Sequence, residues 1–186
     1  MASNSLKVDH INAYQCIQYN HDLDSYQRIQ YDHDKLYHPE ILCLGVLGRM
    51  KHIVLHLMKY RAALSAYQED DIKNKQAFVD TFIMLVSACN TLNLRISTFD
   101  FNDATKQDFL EDYLQIVGNL SKACESADHQ EDFPINSTWK SNIELLLKKL
   151  LKEAANRNLE LLNLSKVRLE KVEDKNSLHF ILKDNS

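Results

Sequence analysis

Two stretches of this 186-residue chain repeat one another, and that repeat constrains the fold more than any other feature. The first copy opens with Leu47-Gly48-Arg49-Met50-Lys51-His52 and, after a second helical run, closes with Ala88-Cys89-Asn90-Thr91-Leu92-Asn93-Leu94. The second opens with Val117-Gly118-Asn119-Leu120-Ser121-Lys122 and closes with Ala154-Ala155-Asn156-Arg157-Asn158-Leu159. Of the three glycines, Gly45, Gly48 and Gly118, two stand at matching places in the two copies. A glycine inside a helix costs roughly 1 kcal/mol against alanine, so its recurrence predicts a packing reason, such as close approach of another helix. The expectation is two helix pairs in one chain.

Composition supports a helical, compact fold. Three Gly and two Pro leave few helix breakers, and 45% hydrophobic with 26% charged residues is an ordinary globular balance. At this length folding buries about 70% of the unfolded surface, enough for one sizeable core or two fused half-cores. The four cysteines, Cys16, Cys43, Cys89 and Cys124, are widely spaced and never form Cys-x-x-Cys. They read as buried free thiols, which suits a reducing cytoplasm. The opening Met-Ala-Ser-Asn-Ser-Leu-Lys has no apolar run behind it, so neither a signal peptide nor a membrane anchor is expected. A formal charge of -4 argues against nucleic acid as a general partner.

Along the chain, helices are expected over Leu6 to Asn20 and, capped by Asp24-Ser25, over Tyr26 to Tyr37. The run Tyr14-Gln15-Cys16-Ile17-Gln18-Tyr19-Asn20-His21-Asp22 returns as Tyr26-Gln27-Arg28-Ile29-Gln30-Tyr31-Asp32-His33-Asp34. A helix turns about 120° beyond whole turns over such a 12-residue period, so the two His-Asp pairs face different ways. That speaks against a shared metal and for a duplicated surface-facing helix. Helix A is expected from Pro39 to Ala66, with Leu42, Val46, Leu47, Met50, Ile53, Val54, Leu57 and Met58 as its apolar face. Arg49, His52, His56 and Lys59 form a polar stripe opposite. Helix B follows over Lys73 to Leu92, burying Phe78, Phe82, Leu85, Cys89 and Leu92. A linker from Arg95 to Asn102 leads to Asp103 as N-cap of helix C, Ala104 to Ala127. The loop from His129 to Ser137 precedes helix D, Thr138 to Asn156, and helix E, Leu159 to Glu173. Ser177 to Leu182 reads as either a short strand or a docking tail.

The run from His38-Pro39-Glu40-Ile41-Leu42 through Leu47-Gly48-Arg49-Met50-Lys51-His52 resembles the first helix of the MazG-type all-α nucleoside-triphosphate pyrophosphohydrolases. There Pro-x-x-Leu leads into Leu-x-Gly-Glu-x-x-Glu. Phe78-Val79-Asp80-Thr81-Phe82 with Asn90-Thr91-Leu92-Asn93-Leu94 is similar to the family's second helix, and Asn158-Leu159-Glu160 with Asn163-Leu164-Ser165-Lys166 to its closing helix. The resemblance implies Mg²⁺ held by four carboxylates, because that hard cation takes oxygen ligands and bridges to phosphates. At the four matching positions this chain has Arg49, His52, Ala77 and Asp80, so only Asp80 is retained. Asn119 and Lys122 stand at the corresponding places of the second copy. The degenerate pattern predicts no Mg²⁺-dependent chemistry and no cofactor.

Asp108-x-x-Glu111 and Glu125-x-x-Asp128 imitate the family's carboxylate spacing. Both fall along one expected helix, which places them roughly 25 Å apart and reads as a solvated acidic face. His52 and His56, four apart, have the spacing at which two imidazoles share a transition metal, with Asp80 as a third ligand. The plainer reading is a solvated stripe. A third is an anion site in which Arg49, Lys51, His52 and Lys122 stand where Mg²⁺ is held in the family, with Asp80 and Lys166 completing the candidate set.

The fold expected is an all-α bundle of two MazG-like helix pairs forming an internal pseudo-dimer. Its parts are an N-terminal helical segment (1–38), a first pair (39–102), a second pair with closing helix (103–176) and a tail (177–186) within one compact domain. The function expected is an oligomeric binding or regulatory module for a nucleotide or other phosphate, a homodimer being one form, with no membrane association. One rival is an active pyrophosphohydrolase using Mg²⁺ on relocated acids among Glu69, Asp70, Asp71, Asp80 and Glu125. Another is a helical scaffold with no ligand.

Overall fold

The computed structural model describes residues 13–98 and 108–171, with side chains from Asp22 onward. Helix α1 covers Ala13–Tyr37, the single turn α2 Pro39–Leu42, α3 Val46–Ala66, α4 Ile72–Thr91, α5 Phe109–Asp128 and α6 Ile135–Asn156. A 3-10 turn lies at Ile96–Thr98, and α7 runs over 161–171. The described residues contain no strand, and none of their helices is long and apolar enough to cross a membrane.

Apolar residues at helical spacing bury one stripe of each bundle helix. In α3 the buried set is Met50, Ile53, Val54, Leu57 and Leu64; in α6 it is Trp139, Ile143, Leu146, Leu147, Leu150 and Ala154. Side-chain contacts give the helix directions. Asn74 of α4 donates to the carbonyls of Leu64 and Tyr67, so α3 and α4 are antiparallel. The Tyr113 hydroxyl donates to the Leu57 carbonyl at 3.0 Å and Arg61 Nε to the Leu110 carbonyl at 2.6 Å, so α5 also runs against α3. Phe78 therefore stacks on Phe109 across the bundle, with ring centroids 5.5 Å apart, and α4 and α5 are parallel. Asn119 meets Asn142 and Asp112 pairs with Lys149, making α6 antiparallel to α5. The bundle order is up, down, down, up.

Both expected helix pairs are present and each is antiparallel, but the recurrent glycines do not mark helix contacts. A Cβ on Gly118 would meet nothing within 4 Å, and one on Gly48 would touch only Leu44, one turn earlier in the same strand of chain, at 3.2 Å. The closing halves of the repeat have a firmer physical basis. Asn93 and Asn158 both sit in the left-handed region at φ 54, and the following Leu94 and Leu159 donate to the carbonyls of Cys89 and Ala154 at 2.8 Å. This is the six-to-one bond of a helix C-cap, with asparagine taking the place that glycine most often holds.

Several expected boundaries shift. Helix α1 runs through Asp24-Ser25, because the Asp24 carboxylate accepts from Arg95 Nη2 at 2.6 Å and Ser97 Oγ at 2.9 Å instead of capping. The helix expected from Pro39 breaks at Cys43–Gly45. Gly45 and Gly48 together lower helix propensity there, and Gly45 becomes the extended N-cap of α3. Helix α5 is capped by Asp108, whose side chain accepts from the amides of Leu110 and Glu111. The proposed Asp103 cap and the Ser177–Leu182 tail lie outside the described residues, as does the Cys16 side chain. Cys89 and Cys124 are buried thiols, whereas Cys43 is exposed in the α2–α3 turn. Val46 and Met58, expected inside, are 43% and 40% exposed.

Replacing Gly118 with alanine should stabilise the protein by about 0.5–1 kcal/mol, since the site is open and helical. Asn93→Val should destabilise it by about 1–2 kcal/mol, because a β-branched residue strains the left-handed backbone. Urea denaturation midpoints check both signs.

Candidate functional site

Arg49, His52, His56 and Tyr60 recur at helical spacing and so share one face of α3. That face is covered. The C-terminal part of α1, the α2 turn, α4 and α7 close over it and leave a cavity of about 310 Å³. The reading of Arg49, His52 and His56 as a solvated stripe is therefore corrected. Periodicity on α3 reveals a polar face but carries no information about an element arriving from elsewhere in the chain.

The two imidazoles lie against each other, with centroids 4.4 Å apart and planes tilted by 45°. Burial holds the His52 pKa below its ordinary value, helped by the nearby His38 and Lys59. Burial, then Lys59 and His52, pushes His56 down to about 4. Both rings are neutral near pH 7. Nδ1 of His56 lies 3.3 Å from Lys59 Nζ and 3.2 Å from the Tyr60 hydroxyl. An ammonium has only protons to give, which makes Nδ1 the acceptor and leaves the imidazole proton on Nε2. The Tyr60 hydroxyl is itself held protonated, its pKa pushed up to about 12 by burial and by Asp80.

Asp80 enters the cavity wall from α4, where Arg168 of α7 grips it through Nε at 2.8 Å and Nη2 at 3.2 Å. This fork-to-fork pairing occupies the carboxylate. Arg49 has no such partner: among the described residues nothing pairs with it, and its Nε is buried without a hydrogen bond. On the α1 wall of the same cavity, His33 is buried with neither ring nitrogen hydrogen-bonded, and Gln30 Oε1 is likewise unpartnered. An unpaired buried polar group costs about 1–3 kcal/mol, so a cluster of four such atoms around one cavity is an unusual concentration.

The remaining candidates lie elsewhere. Lys51, two residues from Arg49, points to the far side of α3 and pairs with Asp128 of α5 at 2.5 Å. Lys122 is bound by Glu125 and Glu131 at 3.1 and 3.0 Å, and Lys166 is exposed on α7 away from the cavity. The candidate set expected from the sequence thus contributes Arg49, His52 and the Arg168-paired Asp80 here, without Lys51, Lys122 or Lys166. The His52, His56, Asp80 metal set does not assemble, because Arg168 engages Asp80. No three His, Cys, Asp or Glu groups among the described residues are placed to hold a metal ion. The four Mg²⁺ positions implied by the resemblance do not fit that ion either: Arg49 is cationic, Ala77 is in the core and Asp80 is paired. The acids of the rival reading are scattered. Glu69 pairs with Arg157, Asp71 caps α4, Glu125 pairs with Lys122, and Asp70 is exposed in the α3–α4 turn.

His33, Gln30, Tyr60 and Arg168 were missed from the sequence. The 12-residue repeat of α1 predicts a surface-facing segment, yet Tyr26, Gln30 and His33 are buried. Their four- and three-residue spacing was the available signal, because it marks one helix face in contact with something. A larger groove of about 610 Å³ between the end of α6 and α7 is lined mainly by Leu151, Ala155, Leu159 and Leu162 and presents no unpartnered buried polar group. The smaller cavity is the stronger site. No protein-family model, curated protein sequence or solved structure matches this chain.

The depressed His56 pKa makes stability pH-dependent. The unfolded histidine takes up a proton near pH 6.5, while the folded one resists until about pH 4. Stability is therefore full above pH 6.5 and declines as the pH falls toward 4. Thermal midpoints between pH 7.5 and 5 should drop in the wild type and drop less in His56→Gln.

Proposed function

We propose that the chain is a degenerate MazG-like helical protein, working as a binding or regulatory module that takes a small phosphate-bearing molecule, a nucleotide among the candidates, without a divalent cation. The observation that carries this reading is Arg49: a permanently charged guanidinium, without an acidic partner among the described residues, set into a cavity beside two neutral imidazoles. Arginine presents a planar fork suited to phosphate and carboxylate oxygens, and its loss of bulk hydration is offset only when an anion arrives. His52 and His56 add uncharged hydrogen-bonding capacity. A volume of about 310 Å³ lies at the lower end of small-molecule sites, roughly 300–1,000 Å³, so the occupant is one small ligand.

Calorimetric titration of the purified protein with inorganic phosphate and nucleoside monophosphates tests the proposal. Binding should persist in excess chelator and weaken as salt is added, because the attraction is largely electrostatic. Arg49→Ala should weaken it about tenfold or more, the scale of a charge-assisted hydrogen bond. Nucleoside triphosphates with Mg²⁺ should release no pyrophosphate. Robust turnover abolished by Asp80→Ala would overturn this reading in favour of the pyrophosphohydrolase. Sedimentation with and without phosphate tests whether the module works as a homodimer.

A further inference from the structure

The α1 wall of the cavity narrows the ligand class. Asp34 accepts from Gln30 Nε2 at 2.8 Å and, through its other oxygen, from Ser87 Oγ at 2.9 Å. Turning the Gln30 amide over would set its oxygen against a carboxylate, so the bond to Asp34 fixes Oε1 as the free, buried acceptor. It needs a donor. His33, one turn along α1, is 5% exposed; its ring lies 4.8 Å from that of Tyr37 and 5.8 Å from that of His38, and Nδ1 is 3.7 Å from Asp34 Oδ1, beyond hydrogen-bond distance. Both of its ring nitrogens are buried without a partner, so the ring has hydrogen-bonding capacity to offer a ligand. A fully ionised phosphate monoester group offers acceptors alone and satisfies Arg49 while leaving Gln30 Oε1 unpaired. Ile53, Ile83, Met84 and Leu169 add apolar surface to the lining, beside His52, His56 and Tyr60.

We infer that the cavity takes a two-ended ligand, a phosphorylated alcohol whose phosphate sits on Arg49 and whose hydroxyl is read by His33 and Gln30. This rests on the reading of Arg49 as the anion anchor and adds the specificity-determining residues. A hydroxyl matches the α1 wall because it donates once and accepts twice, so it can donate to Gln30 Oε1 and accept from His33. A site built around buried polar groups rejects an analogue that leaves them unpaired far more strongly than an apolar pocket rejects a missing methylene.

Three probes separate the possibilities by calorimetry at pH about 8, where a phosphate monoester is fully ionised and donates no proton. They are inorganic phosphate, glycerol phosphate and propyl phosphate, the last similar in size but without free hydroxyls. Wild-type protein should bind glycerol phosphate at least about tenfold more tightly than propyl phosphate. Gln30→Met and His33→Phe should each bring that ratio toward one and leave inorganic phosphate affinity within about threefold, whereas Arg49→Ala should weaken all three. His33→Gln, which keeps a donor and an acceptor, should retain part of the discrimination and serves if His33→Phe does not fold. A wild-type ratio near one, with phosphate still bound, overturns the two-ended ligand and leaves the Arg49 reading standing. A ratio that survives both α1 substitutions overturns the assignment to His33 and Gln30. Failure of all three probes to bind overturns both readings.

Discussion

A charge inside a buried helix needs a partner, and Asp80 on α4 imposes that condition on the rest of the molecule. Helix α4 is packed on several sides, with Phe78, Phe82, Leu85, Val86, Ala88 and Cys89 all at 0% exposure. Its polar residues are tied down from different directions. Thr81 donates back to the Ala77 carbonyl and meets the Tyr113 hydroxyl at 3.2 Å, and Asn74 binds the end of α3. Asp80 faces the remaining side, where among the described residues its ion-pair partner comes from outside the four-helix bundle. Arg168 supplies that contact, and with it α7 is drawn across α3 and α4. The cavity is bounded on one side by this ion pair.

The second boundary is α1, held along α4 by a mixture of apolar and polar contacts. Tyr26 stacks on Phe82 with centroids 5.3 Å apart, Asn90 donates to the Gln27 carbonyl, and Gln27 in turn donates to the Leu94 carbonyl. Full burial of an aromatic pair contributes several kcal/mol, more than the exposed ion pair between Arg95 and Asp24. The apolar contact therefore fixes where α1 lies, and the polar ones fix its register. That register is what sets Gln30 and His33 against the cavity rather than in solvent.

Much of the bundle was legible because its helices obey a 3.6-residue period: α4 and α6 begin and end within a few residues of where their apolar stripes and breakers place them. The misreadings have separate physical causes. Asp24-Ser25 has the chemistry of a cap, but Arg95 and Ser97, some seventy residues on, compete for the same carboxylate and the helix continues. His52 and His56 were legible as one face; whether that face meets water or α1 is a tertiary fact. Asp80 was recognised as a lone acid, yet its partner stands 88 residues away, beyond any local pattern.

The duplication shows how far a common local sequence can diverge once its surroundings differ. Arg49 and Asn119 occupy matching places, as do His52 and Lys122. In the first copy, α1, α2 and α7 pack over the helix face, so burial holds the His52 pKa below its ordinary value, and Arg49 Nε is buried with no carboxylate paired to it among the described residues. In the second copy that face is open. Asn119 bonds to Asn142 on the neighbouring helix, and Lys122 collects Glu125 and Glu131 in ordinary surface pairs worth little individually. The two copies share a C-terminal cap and antiparallel pairing, while the chemistry of the first comes from the segments that flank it.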